Sequence, residues 1–389
     1  MTEWKEYKLG DLGTVITGKT PSACNPEDWG DNMLFITPSD YRNYRKSATN
    51  SERKLSNVGI DRLEKKILPA NSILVTCIGS DMGKVVMNGE QCITNQQINA
   101  IVPNTSVNND FLYYRLISIY DTLRILGGDG TAVPIVNKSD FENIRIELPP
   151  LPEQIRIASI LSSLDDKIDL LHRENKTLEA MAETLFRQWF IEEAKEDWKE
   201  GKLGDIISVK GGTTPSTKEP HFWNGDIAWT SPRDVTTLNG LYLFETEKKI
   251  TQKGLEQISS GLLPAGTLLM SSRAPVGVLA FSEIPIAINQ GYIAILDDKG
   301  YEKEFIYLWL KANMDTIHSY SNGSTFMEIS KSAFKSIDIL IPTKEEVNDF
   351  VDRVKPIFEK IKANVLQIQT LIQQRDILLP KLMSNETNI

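Results

Sequence analysis

Enzymatic chemistry needs nucleophiles, paired carboxylates or metal ligands at set spacings, and this 389-residue chain presents none in a working pattern. Gly79-Ser80-Asp81-Met82-Gly83-Lys84 is one residue short of a phosphate-binding loop, and Val85 stands where that loop needs Ser or Thr. Leu148-Pro149-Pro150-Leu151 has the wrong ends for the Asp/Asn/Ser-Pro-Pro-Tyr/Phe tetrapeptide of an adenine methyltransferase site. Asp165-Asp166-Lys167 imitates a nuclease Asp-x-Lys element but falls in a helical stretch, where solvated surface is the expectation. His172, His221 and His318 are scattered, without His-Glu-x-x-His spacing, and Cys24, Cys77 and Cys92 form no Cys-x-x-Cys pair. Neither an active site nor a metal site of its own is expected.

The remaining chemistry is that of binding. A net charge of -9 argues against a nucleic-acid partner only until the positions of the charges are considered. Asp40–Lys66 holds 8 basic residues against 4 acidic, with Tyr41 and Tyr44 among them. The composition, 41% hydrophobic and 24% charged, supplies sizeable cores and excludes bulk disorder. The first residues are too charged for a signal peptide, and no apolar run approaches the ~20 residues that span a bilayer, so no membrane partner and a cytoplasmic location are expected.

The elements that position these residues come in two copies. Trp4-Lys5-Glu6-Tyr7-Lys8-Leu9-Gly10-Asp11 recurs as Trp198-Lys199-Glu200-Gly201-Lys202-Leu203-Gly204-Asp205. The same offset of 194 places Thr20-Pro21-Ser22 on Thr214-Pro215-Ser216, Thr37-Pro38-Ser39-Asp40 on Ser231-Pro232-Arg233-Asp234, and Asn95-Gln96 on Asn289-Gln290. A register held over some 150 residues makes the chain two copies of one unit. Each unit reads as an α+β domain followed by a long helix, with boundaries at 1–148, 149–196, 197–341 and 342–389. β-rich runs such as Ser72–Ile78 and Thr267–Met270 alternate with helical stretches such as Phe111–Ile119 and Glu304–Ala312.

The helices carry a heptad seam. In the first it runs Leu161, Leu164, Ile168, Leu171, Asn175, Leu178, Ala182, Leu185, Trp189. In the second it runs Val347, Phe350, Val354, Ile357, Ile361, Asn364, Ile368, Leu371, with Pro356 expected to kink or break it. Antiparallel pairing that sets Asn175 opposite Asn364 makes nearly every layer apolar; the exception sets Leu164 against Arg375. Such an intramolecular coiled coil relates the units by a pseudo-twofold axis. Leu161–Trp189 would span about 43 Å at ~1.5 Å per residue, which is roughly 12–13 base pairs of duplex at ~3.4 Å each. That is the geometry of a molecular ruler.

Over essentially its whole length the chain resembles the specificity subunit of type I restriction–modification systems. The resemblance rests on the two-copy layout and on Leu148-Pro149-Pro150-Leu151-Pro152-Glu153-Gln154-Ile155 running into Ile160–Ile168. Leu185-Phe186-Arg187-Gln188-Trp189-Phe190, the Trp-x-x-x-x-Leu-Gly-Asp openings and Gly212-Thr213-Thr214-Pro215-Ser216 also fit, whereas the second helix opens on Pro342-Thr343-Lys344-Glu345-Glu346. The resemblance implies a non-catalytic subunit whose two target recognition domains each read one half of a bipartite, asymmetric site in double-stranded DNA. It implies helices that set the gap and dock two methyltransferase subunits, with restriction and translocase subunits beyond them. No cofactor is then expected on this chain; S-adenosylmethionine, ATP and Mg2+ would belong to the partners. An orphan or silenced subunit, and a coiled-coil adaptor that never touches DNA, remain open beside this reading.

Contacts to DNA are expected on domain loops, where Arg and Lys suit phosphate and guanine and Tyr stacks or donates a hydrogen bond. In the first domain these are Thr20, Ser22, Tyr41, Arg42, Arg45, Lys46, Arg53 and Lys54. In the second they are Thr214, Ser216, Arg233, Lys248, Lys249, Lys253 and Arg273. The matched turns Gly128–Thr131 and Asn322–Thr325 read as ordinary tight turns, and the repeated Asn-Gln pairs as structural.

Overall fold

The computed structural model describes residues 4–128, 135–238, 240–297, 299–323 and 327–384; most of the turn 128–131 and the end of the turn 322–325 lie outside them. Contacts divide the chain into two units. One comprises the residues up to Leu170 together with those from Gln369 onward, the other Leu171–Ile368. Each unit therefore contains one globular domain and a segment of both long helices, Leu151–Arg187 and Lys344–Leu382.

The two globular domains share one α+β fold. In the first, a five-stranded sheet has the order Gly13–Thr17, Ile98–Pro103, Ile73–Thr76, Val85–Asn88, Ser47–Ala48. In the second the order is Ser208–Lys210, Tyr292–Leu296, Leu268–Ser271, Leu279–Ser282, Tyr242–Leu243. In both, all pairs are antiparallel except the last, which is parallel. The apolar runs that marked the central strands are buried along their whole length, since Ile73–Thr76 and Leu268–Ser271 are covered on both faces. A smaller sheet carries Trp29–Gly30 and Arg53–Leu55 in one copy and Trp223–Thr230 and Lys248–Ile250 in the other. The opening strand pairs with the strand just before the long helix, Lys5–Lys8 with Arg145–Leu148 and Lys199–Lys202 with Asp338–Ile341.

In each unit the two helix segments run antiparallel and their seam merges with the core of the adjoining domain. Ile157, Ala158, Leu161, Leu382 and Met383 join the core of the first domain around Phe111, Tyr114 and Phe141. Ala182, Phe186, Phe350, Val354, Phe358 and Ile361 join that of the second around Phe281 and Phe305. Of the seam positions read from the heptads, Leu161, Ile168, Leu171, Asn175, Val354, Ile361, Asn364 and Ile368 are buried, and Leu178, Leu185, Trp189 and Leu371 half-buried. The Trp189 ring lies 5.6 Å from that of Phe350, and the Asn364 side-chain amide donates to Asn175 Oδ1 at 2.8 Å. The Asn-to-Asn register is therefore present.

Three expectations are corrected. Leu164 and Ile357, like Leu178, Leu185, Trp189 and Leu371, are only half-buried, and Asp165, Phe186 and Phe358 beside the seam turn inward. A 3.6-residue helix drifts off a strict 3.5-residue seam, and here each helix serves a domain as well as its partner. The layer that set Leu164 against Arg375 is in fact ionic: Arg375 donates to Asp165 Oδ1 at 2.9 Å, and the Tyr114 hydroxyl to Oδ2 at 2.6 Å. Asp165 is thus a buried structural carboxylate, not solvated surface. Finally, the helix runs unbroken through Pro356, which is exposed, as is Asp352, the residue whose carbonyl the proline leaves without its helical donor.

The variant start of the second helix also has a physical account. Thr343 and Glu346 form a capping box, with Glu346 accepting from the Thr343 amide and hydroxyl while Thr343 Oγ1 accepts from the Glu346 amide. Glu346 further accepts from the Trp198 indole at 3.0 Å and pairs with Lys195. The Lys195 contact and the capping bonds hold its carboxyl down at about 2.

Replacing either Asn175 or Asn364 by Leu strands the other amide in the core, at a cost of about 1–3 kcal/mol. The double variant should lose clearly less than the sum of the singles, as read by denaturant unfolding. Additive losses would place the two amides apart. Because the Glu346 pKa is lowered on folding, its contribution is complete above the ordinary carboxylate range near ~4.3 and fades as pH falls towards about 2. The stability gap between wild type and Glu346→Gln should accordingly shrink across that window; a gap constant from pH 6 to 2 would refute the assignment.

Candidate nucleic-acid interface

The two Thr-Pro-Ser loops are built alike. Each leaves its strand at a glycine packed against backbone: a Cβ on Gly18 would lie 2.2 Å from the Asn95 carbonyl, and one on Gly212 1.7 Å from that of Ile288. Thr20 Oγ1 donates to Gln96 Oε1 at 2.7 Å, and Thr214 Oγ1 to Gln290 Oε1 at the same distance. Asn95 and Asn289 are buried and accept from the amides of Gln97 and Gly291. The Asn-Gln pairs are thus scaffold, and they commit the hydroxyls of Thr20 and Thr214 to the same task. Ser22 and Ser216 stay exposed, each capping an amide two residues on, Cys24 and Lys218.

The loop after the next strand is again framed identically. Asp40 accepts from the amides of Thr37 and Glu52, and Asp234 from those of Ser231 and Glu247. On this common frame the side chains differ, and they do not all face solvent as expected for readers. Tyr41 is 5% exposed, within a core cluster with Leu68, Leu74 and Cys92, and its hydroxyl has no partner among the described residues. Burial pushes that hydroxyl well above the usual tyrosine range. Lys46 turns inward to Ser162 at 2.9 Å and Asp110 at 2.7 Å, over the Tyr114 ring, and Arg45 pairs with Asp169. Tyr41, Arg45 and Lys46 therefore seat the loop on its own core and helix segment, because amphipathic side chains find apolar surface and carboxylates closer than solvent.

Arg53 and Lys248 occupy matching strand positions and stack on matching tryptophans. The guanidinium lies 3.2 Å from the Trp29 ring centroid and the ammonium 5.8 Å from that of Trp223. Repetition in both copies marks a structural pairing. Arg42, Arg233, Lys249 and Lys253 are exposed and Lys54 half-buried, available to a phosphate. Arg273 is half-buried with its guanidinium 4.0 Å from Glu328.

The residues weighed for catalysis have structural roles. Gly79–Lys84 is the turn between the antiparallel strands Ile73–Thr76 and Val85–Asn88, with Lys84 paired to Asp81, and no helix follows to receive a phosphate. Burial raises the thiols of Cys77 and Cys92 to about 11 and about 12, which keeps them protonated and unreactive. Among the described residues no group of three His, Cys, Asp or Glu side chains is placed to hold a metal ion, and no helix is long and apolar enough to cross a membrane.

Tyr41→Phe removes a buried hydroxyl that has no hydrogen-bond partner among the described residues, so it should leave stability unchanged or raise it by up to about 1 kcal/mol and leave DNA retention intact. A large loss of retention with unaltered unfolding would restore Tyr41 to the interface.

A model of the type I restriction modification DNA specificity domain matches residues 1–180 and again 195–374. The chain is 28% identical to the MjaIX specificity subunit of Methanocaldococcus jannaschii, covering all of this chain and 94% of that one. It is 24% identical to the HindI specificity subunit of Haemophilus influenzae, covering 99% of this chain and all of that one. In fold it is similar to the S subunit of a type I restriction-modification system from M. genitalium, with a TM-score of 0.61 at 18% identity over 99% and 97% of the two chains. With the family domain present twice and covering nearly the whole sequence, this chain belongs to the DNA specificity family of type I restriction–modification systems.

Proposed function

We propose that this protein is the sequence-specificity subunit of a type I restriction–modification complex, and that each domain reads one half of a bipartite, asymmetric DNA site. The observation that carries the reading is the duplication itself: one fold built twice, with frame contacts repeated bond for bond and exposed loop residues changed. Two copies serving one common ligand have no reason to diverge on their exposed loops alone. Copies reading different half-sites must.

The chain contributes recognition and leaves the chemistry to others. Arg42, Lys54, Arg233, Lys249 and Lys253, joined by the serines of the Thr-Pro-Ser loops, meet phosphates and fix each domain on the duplex. Base edges select the sequence. The long helices set the gap between half-sites and dock two methyltransferase subunits, which carry S-adenosylmethionine; further subunits bring ATP and Mg2+ for restriction. Full-length likeness to specificity subunits supports this over a coiled-coil adaptor or an orphan subunit.

A genome-wide map of methylated adenines in host cells, with the gene intact and deleted, tests the proposal. One gapped motif should lose methylation in the deletion strain; identical maps in cells that express the methyltransferase would overturn it. In the reconstituted complex, Arg42→Ala and Lys253→Ala should each reduce the salt dependence of DNA binding by about one unit of log–log slope while leaving the motif unchanged.

A further inference from the structure

Each domain holds a cavity at the same place in its fold, bounded by the end of the framed loop, the turn before the fourth central strand, and the helix that follows the sheet. It measures about 270 Å3 in the first domain and about 510 Å3 in the second. Both are lined by a glycine in the left-handed region, Gly83 at φ +91° and Gly277 at +94°. A Cβ there would strike the Tyr120 ring at 2.8 Å or the Met314 sulfur at 2.3 Å, so the close seat is common to both copies. The surroundings differ: His172, Asn175, Lys176 and Glu179 of the long helix also wall the second cavity, and no long-helix residue lines the first. At the offset of 194, Tyr44, Lys84 and Tyr120 of the first domain correspond to Leu238, Val278 and Met314 of the second, of which Leu238 and Val278 line its cavity.

The chemistry of the first cavity is specific. Its lining includes Tyr44, Tyr120 and buried Tyr41, together with Arg45 and Lys84. Arg124, outside the lining, donates to the Ser80 carbonyl at 3.4 Å and the Tyr120 hydroxyl at 3.3 Å. Arg45 and Lys84 lean on Asp169 and Asp81, but all four side chains are 38–48% exposed. Such surface pairs are weak and exchange readily for a dianionic group. Aromatic residues beside two cations match a planar heterocycle carrying a phosphate.

We propose that this cavity is a nucleotide pocket in which Tyr44 and Tyr120 face the base and Lys84 and Arg45 the phosphate, making Tyr44, Lys84 and Tyr120 specificity-determining residues of the first domain. The pocket rests on the DNA-reading function above if its nucleotide is an unstacked member of the half-site, and stands apart from it if the nucleotide is free in solution. Retention of a frame with divergence of its lining is what a duplicated reader requires.

The test uses the full chain in complex with its methyltransferase subunits and a duplex of the motif found by methylation mapping. Retention of that duplex by the wild-type complex decides the DNA-reading function by itself. Duplexes with 5-iodouracil at successive positions of the first half-site should then photo-crosslink to Tyr44 or Tyr120 from one position. Tyr44→Leu, Tyr120→Met and Lys84→Val install residues that the second copy accommodates on the same frame. They should weaken binding about tenfold, through the first half-site alone. In a parallel arm, saturable binding of a nucleoside monophosphate, lost in the same variants, assigns the pocket to a free nucleotide. Absence of both the crosslink and mononucleotide binding, or unchanged affinity in all three variants, overturns the proposal.

Discussion

Leucine layers are interchangeable, so an antiparallel helix pair held by them alone can slide by a turn or a heptad at little cost. Polar groups buried between helices cannot slide, because a shifted partner leaves an amide or carboxylate without its bond in a medium that solvates it poorly. In the second unit this restraint is the Asn175–Asn364 hydrogen bond; in the first it is Asp165, held by Arg375 and the Tyr114 hydroxyl. Each domain packs its core on helix segments locked in this way. The position of every recognition loop relative to its own helices follows from that lock.

The two locks differ in kind. The amide pair is neutral and self-contained, whereas the Asp165 network reaches into the domain, since Tyr114 belongs to a helix of the sheet layer and Lys46 lies over its ring. Through Lys46 and Arg45 the basic loop of the first domain is fastened to the helix segment. In the second domain the link is the Tyr242 hydroxyl donating to the Phe358 carbonyl, joined by a Lys362–Glu283 pair. At the matching helix positions, Asp169 and Lys362, the charge is reversed, and so is that of the domain residue each meets. The domains share a fold without sharing an attachment.

Duplication also separates scaffold from readout without an alignment. A hydrogen bond made at the same place in both copies, such as Thr20–Gln96 and Thr214–Gln290, survived a change of ligand and so serves the frame. The cation–tryptophan stacks at Trp29 and Trp223 fall in the same class. Positions that keep their backbone and change their chemistry are where recognition acts.

The sequence by itself determined the repeat, the α+β class, the buried central strands, the helix pair and its Asn-to-Asn register. All of these rest on periodicity or on local pattern, which a single chain records directly. It misjudged Tyr41, Lys46 and Asp165, which turn inward, all for one reason. Whether a tyrosine, a cation or a carboxylate faces water depends on groups more than thirty residues away, such as Cys92, Ser162 and Arg375. The clash of Leu164 with Arg375 was the one visible sign that something polar lay opposite. Only the tertiary structure, by bringing distant partners within hydrogen-bonding reach, decided which charges hold the fold and which stay exposed.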